Sequence, residues 1–211
     1  MNTTKASRIL SIAVLAVGVF GIIWLYIVAT SDERNLDRFL RQLSTVKIGK
    51  TRLEQWREDL NRAKVSNVLV RCQERTCGFD LRVENQSLHK MRLAPLTVID
   101  ASVGFQDGLA SDVYVGLAVQ GVNDKGQSYD DKGLVIRETS DVPGSCHPQF
   151  HLSVGRRYAE PGDRSWATIA MDPCASAPER DKALAINVDC LSKIGGCRNI
   201  EQMNRHVFGD R

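Results

Sequence analysis

The stretch 77–84 of this 211-residue chain reads CGFDLRVE, and it decides the fold class. Apolar side chains occupy its odd-numbered positions, and polar side chains occupy the even-numbered positions from Asp80 onward. A period of two is typical of a β-strand with one buried face and one solvated face. We therefore predict a half-buried strand here, and with it a sheet that covers a core on one side.

Further extended runs lie on both sides of this strand. Leu96 to Gln106 and Leu109 to Gln120 flank Asp107-Gly108, a dipeptide typical of tight hairpin turns. Other β-rich runs lie at 65–71, 133–139, 149–156 and 165–171. About seven or eight strands linked mostly by hairpins predict an α+β fold with a mostly antiparallel β-sheet or sandwich. We expect a loop at 172–179, a strand or a helix at 183–189, and a short closing helix at 199–207.

Two helices are predicted before the first strand. Residues 32–46 carry one apolar stripe, and a capping-box pattern at Thr51 to Glu54 begins a second helix with an apolar face. These one or two linker helices can pack on the domain's own sheet, or their stripes can form a dimer seam. Packing on the sheet is the favoured interpretation, and self-association through the juxtamembrane helices is the alternative.

The segment Ile9 to Ala29 contains no charged residue, and apolar side chains cover every face. At ~1.5 Å per residue it is about 30 Å long, the thickness of a bilayer's hydrocarbon core. Trp24 and Tyr26 near its end suit the membrane interface. We predict an N-terminal transmembrane helix and hence contact with a lipid bilayer. A cleaved signal peptide is the alternative, although its apolar region usually spans only ~7–15 residues.

The six cysteines all lie after this segment. An even number of cysteines in one domain favours disulfides, which persist in oxidising compartments. Proximity favours Cys72–Cys77 and Cys190–Cys197, which leaves Cys146–Cys174. A metal or redox site is the alternative, but no CxxC spacing occurs.

The cysteines place the C-terminal part outside the cytosol, in a bacterial envelope or periplasm, whereas basic residues after the segment favour the opposite orientation. We favour the first. The chain then divides into a short cytosolic tail (1–8), a single-pass transmembrane helix (9–29), a juxtamembrane helical region (30–64) and an extracytoplasmic β-rich domain (65–211).

Catalytic patterns are weak. Cys146 to His151 holds a cysteine and two histidines, which could form a nucleophile–base pair or ligate a metal. Pro148 keeps His147 extended, so the two histidines are not expected to share a helical face. An acidic loop with Asp124, Asp130 and Asp131 could bind calcium weakly, but it does not fit the EF-hand pattern. We assign no catalytic residue, no metal ligand and no cofactor.

Charge does not indicate a nucleic-acid partner. The net charge is only +3, and Lys5 and Arg8 of the N-terminal tail supply two of these charges. No basic stripe with interleaved aromatic residues occurs.

The N-terminal apolar segment, the CxxxxC hairpin, Leu93-Ala94-Pro95, the Asp-Gly hairpin and the ending CLSKIGGC together resemble a bacterial group. The group consists of uncharacterised single-pass, membrane-anchored envelope proteins predicted from soil bacteria such as acidobacteria. The resemblance implies an envelope location and no activity.

We expect a membrane-tethered binding or scaffolding domain rather than an enzyme, with an envelope protein as its partner. The alternative is a hydrolase-like cell-envelope enzyme with a site near Cys146 to His151.

Overall fold

The computed structural model describes residues 16, 18–21, 30–122, 128–139, 151–155, 166–171, 175–197 and 200–204. The helices are α1 (30–45), α2 (Leu53–Arg62), α3 (Gln86–Lys90), α4 (Ala177–Leu184) and α5 (Ile200–Met203), with a 3₁₀ turn at Val188–Cys190. The strands are β1 (Leu69–Gln73), β2 (Thr76–Glu84), β3 (Thr97–Gln106), β4 (Leu109–Val122), β5 (Ser128–Thr139), β6 (His151–Gly155) and β7 (Trp166–Met171).

In the described residues, the seven strands form one sheet in the order β1-β2-β3-β4-β5-β7-β6. Neighbouring strands run antiparallel except β5 and β7, which run parallel. The α+β class and the mostly antiparallel sheet are thus confirmed, and the described strands belong to a single sheet rather than to a sandwich. Asp107 and Gly108 both have positive φ, as the predicted β3–β4 hairpin turn requires.

One face of the sheet carries the core. The side chains at positions 79, 81 and 83 of β2 and at 99, 101, 103 and 105 of β3 are buried there, in one cluster with residues of α1, α2 and α4. The apolar stripe of α1 is fully buried on the chain's own sheet, with Leu36, Phe39 and Leu43 at 0% exposure. These stripes therefore pack on the domain and are not available as a dimer seam. Self-association through other surfaces of the helices stays a prediction.

Trp56 of α2 lies at the centre of this core. Its ring contacts Phe39 of α1 at 5.9 Å, Phe79 of β2 at 6.5 Å and Phe105 of β3 at 6.4 Å between centroids. Aromatic contacts of this kind add to the burial of apolar area. The cluster joins the two N-terminal helices to the sheet.

Three local predictions differ from the structure. The first strand begins at Leu69 rather than at residue 65, because Lys64 and Asn67 have positive φ and turn the chain away from the sheet. The Thr51 capping box is absent, because the Thr51 hydroxyl accepts a hydrogen bond from the backbone N–H of Lys47 instead. The predicted 172–179 loop contains the start of α4.

The predicted transmembrane helix falls mostly on residues outside the described ranges. Residues 16 and 18–21 are described, and they are helical and exposed. No helix within the described ranges is both long and apolar enough to cross a membrane.

Candidate functional site

A cleft of about 460 Å³ lies beside β2. Four consecutive residues of this strand, 81–84, contribute to its lining. Successive side chains of a strand point to opposite faces of the sheet. Four consecutive residues can therefore line one cleft only if the cleft runs along the edge of the strand. We call this feature the edge cleft. Its other lining residues are Asp32 and Asn35 of α1, Asn67, and Gln86 and Ser87 of α3.

The edge cleft exists because β1 is shorter than β2. The ladder between them ends at the Leu69–Asp80 pair, whereas β2 continues to Glu84 beside β3. Across the described ranges, no strand pairs with the 81–84 stretch on the β1 side. A strand edge of this kind presents backbone donors and acceptors to an extended chain.

Asn35 holds one wall of the edge cleft in place. Its side-chain amide donates a hydrogen bond to the Ser66 carbonyl at 2.7 Å, and its side-chain carbonyl accepts one from the Ser66 N–H at 2.8 Å. Asn35 itself is buried. This pair of bonds fixes the segment before β1 against α1, so the chain cannot continue β1 along the edge of β2.

The polar floor of the edge cleft centres on Glu84. Its carboxylate accepts hydrogen bonds from Gln86 Nε2 at 2.9 Å and from Arg82 Nε at 2.7 Å. The Gln86 bond, followed by the Arg82 bond, lowers the pKa of Glu84 from its usual 4.5. Glu84 therefore stays ionised at neutral pH. Arg82 also contacts Asp100 of β3 at 3.4 Å, so two carboxylates share its charge.

Glu33 lies in a different environment one residue beyond Asp32. Burial raises its pKa from 4.5, and nearby Asp189 raises it further, while hydrogen bonds from Ser192 oppose the shift. The contact connects α1 to the loop that carries the Cys190–Cys197 disulfide. It is a structural contact of α1 rather than part of the edge cleft.

Two of the expected disulfides are present, Cys72–Cys77 and Cys190–Cys197. Cys72 and Cys77 are directly opposed on β1 and β2, so the bridge closes the hairpin as predicted. Cys190 and Cys197 are buried in the core, with Cα atoms 5.0 Å apart. The expected Cys146–Cys174 pair lies outside the described residues and stays a prediction.

The remaining sequence candidates are only partly described. Trp24, Tyr26, Cys146 and His147 lie outside the described ranges, and only the backbone of His151, the first residue of β6, is described. The hydrolase-like alternative therefore stays a prediction. Within the described parts of the chain, no three His, Cys, Asp or Glu side chains come together as a possible metal site.

Sequence reasoning missed the edge cleft. One signal could have indicated part of it: Asn35 is a polar residue beside the apolar stripe of α1, where a solvated side chain is not expected. Gln86 and Ser87 gave no such signal, because their role depends on where the β1–β2 ladder ends.

Comparison of the chain with known protein families, with curated proteins and with solved structures finds no match. The fold and the edge cleft are thus the basis for any functional conclusion.

Proposed function

We propose that this chain is a membrane-tethered extracytoplasmic binding domain whose edge cleft takes an extended peptide segment of an envelope protein. The observation that carries the proposal is the stretch 81–84 of β2, which on its β1 side borders a 460 Å³ cleft instead of a paired strand. An extended segment placed there would add a strand collinear with β1. Main-chain hydrogen bonds give such strand addition its affinity, and side-chain pockets give it specificity.

The charges around the edge cleft favour a basic segment. Asp32 and Glu84 face the cleft with a single lining cation, Arg82, whose guanidinium already contacts Glu84 and Asp100. The lowered pKa of Glu84 keeps this negative charge in place below neutral pH. A segment with a Lys or Arg side chain would therefore be preferred over an acidic one.

Three observations support the tether and the compartment. The described residues of the apolar segment are helical, and Val19 and Phe20 are 54% and 73% exposed. Among the described residues, a Cβ added at Gly18 or Gly21 would meet nothing within 4 Å. Exposed apolar side chains on a helix suit a lipid environment. The two disulfides suit an oxidising compartment.

Strand addition is tested with the full-length chain in lipid nanodiscs. The probes are a seven-residue peptide of alternating Val and Lys, the same peptide N-methylated at alternate residues, and an alternating Val and Glu peptide. We expect the Val–Lys peptide to slow hydrogen exchange of backbone amides in 81–84, while the other two have little effect. Equal protection by all three peptides, or none by the Val–Lys peptide, would contradict the proposal.

Charge reversal gives a matched pair of variants. Asp32→Lys should weaken binding of the Val–Lys peptide roughly twofold to fivefold, the range expected for a surface charge contact. Asp37→Lys is the control, because Asp37 lies on the same helix and pairs with Arg41 away from the edge cleft. An equal loss in both variants would indicate a general electrostatic effect and not a site.

The tether is tested separately by alkaline carbonate extraction of cell membranes, followed by non-reducing peptide mapping. We expect the chain to stay in the membrane pellet and its cysteines to be disulfide-bonded. Release of the chain into the supernatant would refute the tether, and free thiols throughout would refute the compartment.

A further inference from the structure

The Cys72–Cys77 disulfide differs from the Cys190–Cys197 disulfide in its access to solvent. Cys72 lies on β1, the outermost strand of the sheet, where all five residues are exposed, and its partner Cys77 on β2 is half-buried. Cys190 and Cys197 are 0% and 2% exposed, within the core. A dissolved thiol can therefore reach the first bridge in the folded protein, whereas the second is shielded.

A cation lies beside the accessible bridge. Arg57 Nη2 lies 3.7 Å from Cys72 Sγ, and the Arg57 guanidinium also lies 5.9 Å from the centre of the Phe79 ring. The neighbouring Arg71 and Arg75 are engaged by Asp80 and Asp107. In the described parts of the chain, no carboxylate forms an ion pair with Arg57. Its positive charge is thus available to the sulfur.

We propose that Cys72–Cys77 is a thiol–disulfide exchange site for an external dithiol, with Cys77 as the attacked sulfur and Cys72 as the leaving group. An adjacent arginine stabilises a thiolate, and a thiol of lower pKa leaves faster. Since Arg57 contacts the sulfur of Cys72, the bond breaks with its electron pair on that atom.

The exchange balances in two steps. One thiolate of the dithiol attacks Cys77 Sγ, a mixed disulfide forms, and Cys72 leaves as a thiolate beside Arg57. The second thiol of the dithiol loses its proton to water and displaces Cys77, so the dithiol becomes a disulfide. Two electrons pass to the protein, and Cys77 takes a proton from water. The reverse sequence reoxidises the hairpin.

The rate of exchange is measured on the full-length chain in detergent micelles with dithiothreitol as the probe. Samples taken over time are blocked with iodoacetamide and mapped by mass spectrometry, which reports each bridge separately. We expect Cys72–Cys77 to open at least about tenfold faster than Cys190–Cys197, which serves as the internal control. Equal rates would overturn the proposal.

The role of Arg57 is tested by Arg57→Gln and Arg57→Lys. We expect the glutamine variant to open Cys72–Cys77 roughly threefold more slowly and the lysine variant to stay near the wild-type rate. Neither variant should change the rate at Cys190–Cys197. Because Arg57 is exposed, both variants are expected to fold, which circular dichroism checks. An unchanged rate in Arg57→Gln would refute the role of the cation.

A separate experiment identifies which of the two sulfur atoms is attacked. With glutathione, a monothiol, the first mixed disulfide should form on Cys77, and a free thiol should appear on Cys72. Glutathione mainly on Cys72 would overturn the assignment of the leaving group.

Discussion

The ion pair between Arg180 of α4 and Glu138 of β5 permits a quantitative test of the fold. Both side chains are buried, at 6% and 0% exposure, and Arg180 donates a hydrogen bond from Nη1 to the Glu138 carboxylate. Truncation of one partner leaves the other charge buried, which typically costs about 3–5 kcal/mol. Arg180→Leu should therefore lower the free energy of unfolding by about that amount. For a chain of this size, that loss corresponds to a fall in Tm of roughly 6–20 °C.

The double variant Arg180→Leu/Glu138→Leu is the critical comparison. Replacement of a buried ion pair by apolar side chains is often neutral or stabilising, so we expect the double variant to recover most of the loss. Urea unfolding of the full-length chain, followed by circular dichroism with disulfides intact, gives the three free energies. The coupling should be at least about 2 kcal/mol. A cost below about 1 kcal/mol for Arg180→Leu, or additive losses, would refute the burial of this pair.

Three further predictions concern the core, the sheet and the pH dependence. Trp56→Ala should cost about 3–5 kcal/mol, whereas Trp56→Phe should cost much less, because the buried indole N–H has no hydrogen-bond partner among the described residues; equal losses by urea unfolding would contradict this packing. Gly133→Ala should cost about 1–3 kcal/mol, because its Cβ would lie 2.5 Å from the Trp166 ring and 2.9 Å from the Leu117 carbonyl oxygen. Gly78→Ala, whose Cβ has no neighbour closer than 4.0 Å, is the thermal-unfolding control and should be nearly neutral. The raised pKa of Glu33 means that its protonated form is favoured on folding, so its contribution to stability is full below pH 4.5 and is lost as pH rises through the folded-state pKa. Glu33→Gln should therefore raise the Tm relative to wild type at pH 7 but not at pH 4, and a gain of equal size at both pH values would contradict the titration.

The strands could be predicted because their patterns are local. In 77–84 the alternation of apolar and polar residues matches burial on one face of β2, and Asp107-Gly108 forms the expected turn. The apolar stripe of α1 could be predicted in the same way, and the structure confirms it, because three of its apolar residues are fully buried. Each of these signals depends only on neighbours within a few residues.

Helix α4 shows how composition misleads. Its first turn contains Pro178, and the surrounding loop-like composition predicted no helix. In the structure, Ser176 accepts a hydrogen bond from the Glu179 N–H while the Glu179 carboxylate accepts one from the Ser176 N–H. This is a capping box, and proline is well tolerated in the first turn of a helix. The pattern was present in the sequence, but the proline outweighed it.

The edge cleft could not be predicted, because it depends on strand register. Nothing in 65–71 indicates that pairing begins only at Leu69, since Val65 and Val68 suit a strand as well as they suit the core they contact. The chain turns away because of positive φ at Asn67 and the bonds between Asn35 and Ser66. The hydrogen bonds join residues about thirty positions apart, so a pattern of neighbouring residues cannot predict them.

The burial of α1 limits how far the domain could stand from a bilayer. Asp32 follows Ala29 by three residues, a reach of at most about 11 Å even for an extended chain. Unwinding of α1 cannot lengthen this connection further, because Leu36 and Phe39 would then leave the core. With Ile9 to Ala29 in the membrane, the opening beside Asp32 would lie at the height of the headgroups. A protein that presents a strand there would itself have to lie at the membrane surface, so recognition would take place between neighbours in the same membrane and not with partners dissolved far from it.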